Sequence, residues 1–335
     1  MKKFKIIIGI DISKNKLDVC VIENLNSKQH NYFIVSNDKK GISSILKQVQ
    51  KCMVKNDEVL VCFETTGVYA MPLCYELQNM NINYAMVPAI EIKRAKGLVR
   101  GKSDKADASD IAHYAITHEH KLKCTVLPEV DLMKLKLLLA EREKLVKTIT
   151  LFDSTKENDG FMDKDICKEV LKHNKKTITI LKKQLVEIEN IILTIIKNNE
   201  QIKAQYTLAQ SVPGVGPQTA INLIVNTRCF VAFDNWRKFA CYAGVAPFEY
   251  KSGTSIRGKT RVSHLANKKM KSLLNMAALS AKRHDKQLKD YYERKIKEGK
   301  NGMLVMNAIR CKIISRVFAA IKRETPYVDF LKYSA

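Results

Sequence analysis

The chain has 335 residues, enough for two or three domains with their own cores, and carries 58 Lys and Arg against 34 Asp and Glu, a net charge of +24. That excess points to a polyanionic partner, nucleic acid before any other, and away from an ordinary neutral enzyme. No apolar run is long enough to span a membrane, and nine cysteines without a Cys-x-x-Cys pair exclude a disulfide framework or zinc site and favour a reducing cytoplasm.

The start, Met1-Lys2-Lys3 before Ile6-Ile7-Ile8, is broken by Asp11 and has no small-residue cleavage site, so it is not a signal peptide. Residues 4–10 read as a strand buried on both faces. Further strands are expected at 17–22, 31–35, 58–63 and 83–87, with helices over 41–53 and 69–80 and another from near Asp104. Three strands followed by alternating helix and strand is the order of a ribonuclease-H-like domain.

The middle of the chain is helical. Leu132, Leu135, Leu139, Val146 and Ile149, with Arg142 at the one skipped position, then Ile178, Leu181, Leu185, Ile188, Ile192 and Ile195, keep a 3–4 spacing that predicts an antiparallel coiled-coil hairpin, with its turn in 153–165. From 206 the chain becomes globular again. The expected division is 1–125, 126–205 and 206–335: an α/β domain, a helical coiled-coil hairpin, then a mainly α domain. Charge rises along it, with 17 Lys and Arg against 13 Asp and Glu over 1–120, 20 against 15 over 121–249, and 21 against 6 over 250–335. A catalytic region followed by a region that grips nucleic acid has this gradient.

Four carboxylates carry the chemistry. Asp11 ends the first strand and Glu64 a later one, where open α/β sheets place their sites. Asp104 and Asp107 share one face of a helix start, with Asp110 continuing it. Phosphodiester cleavage uses hard divalent cations held by convergent acids. Taken singly, each acid reads better as a cap or turn residue; the joint pattern favours a metal site. Gly9-Ile10-Asp11-Ile12-Ser13 also resembles the opening of actin-like sugar kinases, but Lys14 and Asn15 stand where a phosphate loop needs glycines.

Two further motifs lie downstream. Val212-Pro213-Gly214-Val215-Gly216-Pro217 reads as a helix-hairpin-helix turn, in which Pro213, Gly214 and Gly216 leave backbone N–H groups at a helix start for DNA phosphate. Ser252 precedes a glycine in a basic loop with Lys251, Arg257, Lys259 and Arg261, cations that suit an attacking hydroxyl and its phosphate. Ser255 and Ser263 are near-equal candidates on composition, and His264 is a candidate base or phosphate contact. Residues 268–323 are basic and helical, as a backbone-binding tail would be.

Together these motifs resemble the DEDD-type insertion-sequence transposases, relatives of the pilin-gene invertases, along nearly the whole chain. The resemblance implies a RuvC-like domain, a coiled coil and a C-terminal transposase domain. It implies Asp11, Glu64, Asp104 and Asp107 as catalytic ligands of Mg²⁺ or Mn²⁺, and Ser252 as a nucleophile that links transiently to DNA. Lys251 stands where the family often has a second serine, which leaves Ser255 open. It further implies donor and target DNA, a bridge RNA, and a homo-oligomer (dimer or tetramer) in the prokaryotic cytoplasm at the nucleoid, with no membrane partner. Two alternatives remain at this stage: a RuvC-like nuclease that hydrolyses branched DNA, and a non-catalytic architectural DNA-binding protein.

Overall fold

The computed structural model describes residues 4–23, 30–51, 55–97, 103–162, 164–252, 256–263 and 265–328. They fall into two compact units that divide between Leu127 and Pro128. Unit 1 contains β1 (Ile6–Ile12), β2 (Lys16–Ile22), β3 (Asn31–Ser36), α1 (Lys39–Lys51), β4 (Val59–Glu64), α2 (Met71–Asn79), β5 (Asn83–Val87), α3 (Ala89–Ala95) and α4 (Asp104–Thr117). The succession is the one the hydrophobic pattern predicts. The five strands form one mixed sheet in the order β3-β2-β1-β4-β5. The β1–β2 and β2–β3 pairs are antiparallel, while β4 runs parallel to both β1 and β5.

Alternation along each strand sorts the core into two layers. Ile6, Ile8, Ile10 and Ile12 point with Val61 and Phe63 toward α1 and α2, meeting Ile42, Ile45, Leu73 and Leu77. Ile7, Cys20, Ile22, Leu60 and Cys62 point the other way, toward Ala108, Ile111 and Ala112 of α4. Cys20, Cys62 and Cys74 are buried, as their apolar contexts predict. Gly9 lies on the α4 side. A Cβ there would stand 2.3 Å from the Ala108 carbonyl oxygen and 2.4 Å from the Ala112 nitrogen. Helix and strand thus meet main chain to main chain.

Unit 2 begins with a helical hairpin, α5 (Val130–Asp153) and α6 (Lys164–Asn198), joined through a 3₁₀ segment at Ser154–Gly160. The two helices run antiparallel, with Arg142 Nε donating to Glu189 Oε1 at 2.8 Å and Asn174 Nδ2 to Thr155 Oγ1 at 2.7 Å. The seam is not uniform. Leu132, Leu135 and Leu139 are buried with Ile192 and Ile196 against Ile202, Ile221 and Ile224. Farther along, Val146, Leu181 and Leu185 are only half-buried, because two helices alone shield only one stripe of each other.

The remainder is α7 (Glu200–Gln210), α8 (Pro217–Thr227), α9 (Trp236–Tyr242), strands β6 (Phe248–Ser252) and β7 (Ile256–Arg261), and helices α10 (Lys268–His284), α11 (Lys286–Lys297) and α12 (Gly302–Arg323). These helices enclose a core that includes Phe239, Leu274, Ile309 and Ile313. Among the described residues no helix is long and apolar enough to cross a membrane.

Gly9→Ala tests the seat of α4. The added methyl meets backbone atoms that have no rotamer to yield, so overpacking should cost about 1–3 kcal/mol, read as a lower urea midpoint with an unchanged m-value.

Candidate active site

The acid end of unit 1 follows from register. In the parallel β1–β4 pair, Ile10 lies opposite Phe63, and Asp11 and Glu64 are the next residue of each strand. Asp11 shares its face with Ile7 and Gly9, and Glu64 with Leu60 and Cys62, which is the face α4 covers. One detail differs from expectation. Asp11 does not end its strand: β1 continues to Ile12, because the antiparallel ladder with β2 runs on through Asp11↔Asp18 and Ile12↔Leu17. The Ser13–Lys16 turn closes it, with Ser13 N donating to the Lys16 carbonyl at 3.0 Å.

The first turn of α4 brings the other two acids to this face. Ser103 is the N-cap, its side chain accepting from Ala106 N at 3.2 Å. The cap role therefore belongs to Ser103 rather than to Asp104 or Asp107, which sit in the first turn, where acids also suit the helix dipole. Asp104 is half-exposed and Asp107 more enclosed, with side-chain exposures of 54% and 20%.

The pattern reading missed a fifth acid. Asp18 on β2 is the register partner of Asp11 and is only 1% exposed. Two groups satisfy it: Tyr32 OH donates to its Oδ1 at 2.5 Å, and Lys16 Nζ lies 3.0 Å from its Oδ2. The hydrogen bond to Asp18 is the main reason the Tyr32 hydroxyl is pushed up to about 12. An acid inside an otherwise apolar strand, on the same face as Cys20, was the available signal.

Two lysines tie the acids together. Lys16 bridges from Asp18 to Asp104 Oδ2 at 2.7 Å. Its hydrogen bonds to Asp104 and then Asp18 raise its pKa above the ordinary lysine value. Lys96, just after α3, bridges Asp107 at 2.6 Å and Asp110 at 2.9 Å. Partial burial works against its charge, but these two acids outweigh it and hold its pKa up. Among the described residues no group of three or more His, Cys, Asp or Glu is drawn together as metal ligands. The donor set is hard carboxylate oxygen, the kind Mg²⁺ accepts. Lys16 and Lys96 supply the positive charge on Asp104 and Asp107 here, and a metal ion would have to replace them.

In unit 2, the 212–216 turn lies between α7 and α8. Val212 and Val215 are buried, and Val215 N donates to the Val212 carbonyl at 3.0 Å. Gly214 has φ +88°, and a Cβ there would stand 2.3 Å from the Ala277 carbonyl oxygen. Only glycine satisfies both demands. Gly216 is the N-cap of α8 with Pro217 following, and no side chain caps the helix start. A Cβ at Gly216 would meet nothing within 4 Å.

The expected basic loop is a β-hairpin. Ser252 pairs with Ile256, Lys251 with Arg257 and Tyr250 with Gly258. The alternation of Phe248, Tyr250 and Ser252 with polar neighbours, closed by Ser-Gly, is a hairpin pattern in retrospect. Ser252 is the last residue of β6, and Lys259 and Arg261 lie on β7. Ser255 and His264 lie outside the described residues; Ser263 lies past β7, its hydroxyl accepting from Leu265 N at 3.1 Å. The hairpin's root is firmly tied. Asn267 Nδ2 donates to Tyr242 OH at 2.8 Å and to Asn226 Oδ1 at 3.1 Å, and Tyr242 OH donates to Asn226 Oδ1 at 2.9 Å. Below it, Asn307 Nδ2 donates to the Val245 carbonyl at 2.5 Å and Asn307 Oδ1 accepts from Arg310. Arg310 is buried with Asn275 as its other partner, and burial lowers its pKa.

Known proteins carry the same two parts. A DEDD-type IS110 transposase model matches residues 8–156, and a model of the transposase IS116/IS110/IS902 family matches residues 206–293. The pilin gene-inverting protein of Moraxella bovis is 26% identical over 328 residues, covering 96% of this chain and 98% of that one. An uncharacterized 43.6 kDa protein of insertion element IS110 from Streptomyces coelicolor is 32% identical over 117 residues, 35% of this chain and 29% of that one. Among solved structures, T. thermophilus RuvC in complex with Holliday junction substrate is similar at a TM-score of 0.27 and 13% identity, over 36% of this chain and 99% of that one. With both models of one family matching in order along it, the chain belongs to the IS110 family of transposases, enzymes that cleave and rejoin DNA strands.

Proposed function

We propose that the chain recombines the DNA of an insertion sequence through two centres, an acid centre in residues 1–125 and a serine centre in 206–335. The observation that carries the reading is the placement of Asp11 and Glu64 one residue past the paired Ile10 and Phe63 of neighbouring parallel strands, on the face covered by a helix whose first turn holds Asp104 and Asp107. The strand order, three antiparallel strands and then two parallel ones, supports a ribonuclease-H-like, RuvC-like domain. The pilin gene-inverting relative supports recombination over simple hydrolysis, since inverting a segment requires strands to be rejoined after cutting.

In this reading Asp11, Glu64, Asp104 and Asp107 are the residues that would hold Mg²⁺ or Mn²⁺. The metal supplies Lewis-acid polarisation and neutralises developing charge. Lys16 and Lys96, which pair with Asp104 and Asp107, would have to yield those contacts to it. Ser252 Oγ gives up its proton and forms a bond to phosphorus while the bond to the leaving strand's oxygen breaks, and a proton goes to that oxygen, so none is gained or lost overall. Rejoining reverses this: a strand hydroxyl attacks the serine phosphodiester and Ser252 leaves. One phosphodiester replaces another at each step, so no external energy source is required. Lys251, Arg257, Lys259 and Arg261 are the cations of the hairpin sequence that would serve the serine and its phosphate. Pro213, Gly214 and Gly216 present the uncapped start of α8 to a backbone phosphate. The 126–205 hairpin joins protomers into a dimer or tetramer, and a bridge RNA pairs with donor and target DNA. The enzyme works in the cytoplasm, at the nucleoid.

Two experiments test this. Purified protein, junction DNA, flanking RNA and Mg²⁺ should yield a denaturation-resistant protein–DNA adduct, absent in Ser252→Ala. Cleavage without adduct, equal in both proteins, would instead identify a hydrolytic nuclease. Separately, chelation should abolish cleavage and Mg²⁺ restore it. Mg²⁺ should raise the melting temperature of wild type but not of Asp11→Asn or Asp104→Asn; a shift of equal size in all three would remove the acids from the metal site.

A further inference from the structure

We infer that the groove between α11 and α12 binds one unpaired nucleotide of a nucleic-acid strand, its phosphate on Arg294, Lys312 and Ser315 and its base on Tyr291. The inference rests on the reading of this chain as an enzyme of polynucleotides and adds a specific site to it.

The groove encloses about 570 Å³, within the range of small-ligand sites. Arg294, Lys312 and Arg316 line it against a single acid, Asp290. The helices that form it are basic throughout: residues 286–323 hold 11 Lys and Arg and 3 Asp and Glu. Arg316 is fixed rather than available. Its guanidinium bonds Asp285 at 2.5 Å and Gln287, and the fully buried Asp285 also caps α11 through Leu288 N. Arg316 therefore forms a rigid wall of the groove.

Arg294 and Lys312 are arranged differently. Both are exposed, and both rest on one ring, with Lys312 Nζ 4.6 Å and the Arg294 guanidinium 5.8 Å from the centroid of Tyr291. An exposed cation–π contact is weak, and among the described residues Arg294 otherwise pairs with Glu298 at 3.9 Å. A phosphodiester is a stronger partner for both cations. Drawing them onto a phosphate would bare the ring they cover, and a bared tyrosine in a cationic groove is a stacking platform for a base. The two contacts are thereby coupled. A duplex cannot use the site in this way, because its bases are already stacked on each other.

The test measures fluorescence anisotropy of the full chain with labelled single strands of about 12 nucleotides, as DNA and as RNA, and with the DNA duplex. The variant Lys312→Glu/Arg294→Glu is compared with Lys175→Glu/Lys182→Glu on α6, which has the same net charge. The groove variant should lose about tenfold or more in single-strand affinity and about 1.4 of its salt slope, two contacts' worth. Tyr291→Leu should weaken single strands about fivefold or more and leave the duplex unchanged, while Tyr291→Phe retains binding. The strand held more tightly, DNA or RNA, identifies the occupant. Equal losses in the groove and α6 variants would overturn the inference while leaving polynucleotide binding intact. A wild-type protein that binds none of the three probes would overturn both.

Discussion

A hydrogen atom in place of a side chain at Gly9 lets α4 lie with its main chain against β1. The acid centre depends on that contact. The small residues Ala108, Ala112 and Ala115 continue the seat along the helix, so its axis is close to the sheet and its first turn is close to the strand ends. A larger residue at any of these places would lift Asp104 and Asp107 away from Asp11 and Glu64. Packing places these acids on one covered face of the sheet, where like charges repel. The apolar layer beneath them supplies the free energy that holds them there.

Lys16 and Lys96 answer that repulsion. Each spans two acids, one between β2 and α4 and the other between α3 and α4. Asp18 belongs to the same balance. A carboxylate so deeply buried is tolerable only when fully bonded, and Tyr32 and Lys16 provide those bonds. The counter-charges that Asp18, Asp104, Asp107 and Asp110 meet on this face are thus covalently part of the chain.

Much of the fold was legible in the sequence, for definite reasons. Strands buried on both faces leave unbroken apolar runs, so β1 and β4 were visible within two residues of their observed limits. The α5–α6 hairpin was visible through its 3–4 spacing. The positions of Asp11 and Glu64 near the ends of apolar strands, and of Asp104 and Asp107 in the first turn of a helix, were legible from the apolar runs and the Asp-x-x-Asp spacing. Long-range pairing was not legible. Nothing local to Lys16 indicates that its ammonium reaches Asp104, 88 residues away. Asp18 was passed over because a buried acid is recognised by its partners, and Tyr32 lies on another strand. The Ser252 segment read as a loop since its basic residues and glycines mask a short two-residue period. The half-exposed far end of the hairpin was hidden too: spacing shows which residues share a face, but not how much neighbouring structure covers it.

The root of the β6–β7 hairpin bears on how the molecule responds to its surroundings. Asn226, Tyr242 and Asn267 fasten it on one side, and Asn307 holds the Val245 carbonyl on the other. These contacts join amides, a phenol hydroxyl and main chain, with no ion pair among them. The contacts a basic surface makes with phosphate weaken steeply as ionic strength rises, whereas bonds between neutral groups are almost indifferent to it. Rising salt would thus loosen a polyanion held by the basic strands while leaving the neutral bonds at the hairpin's root in place.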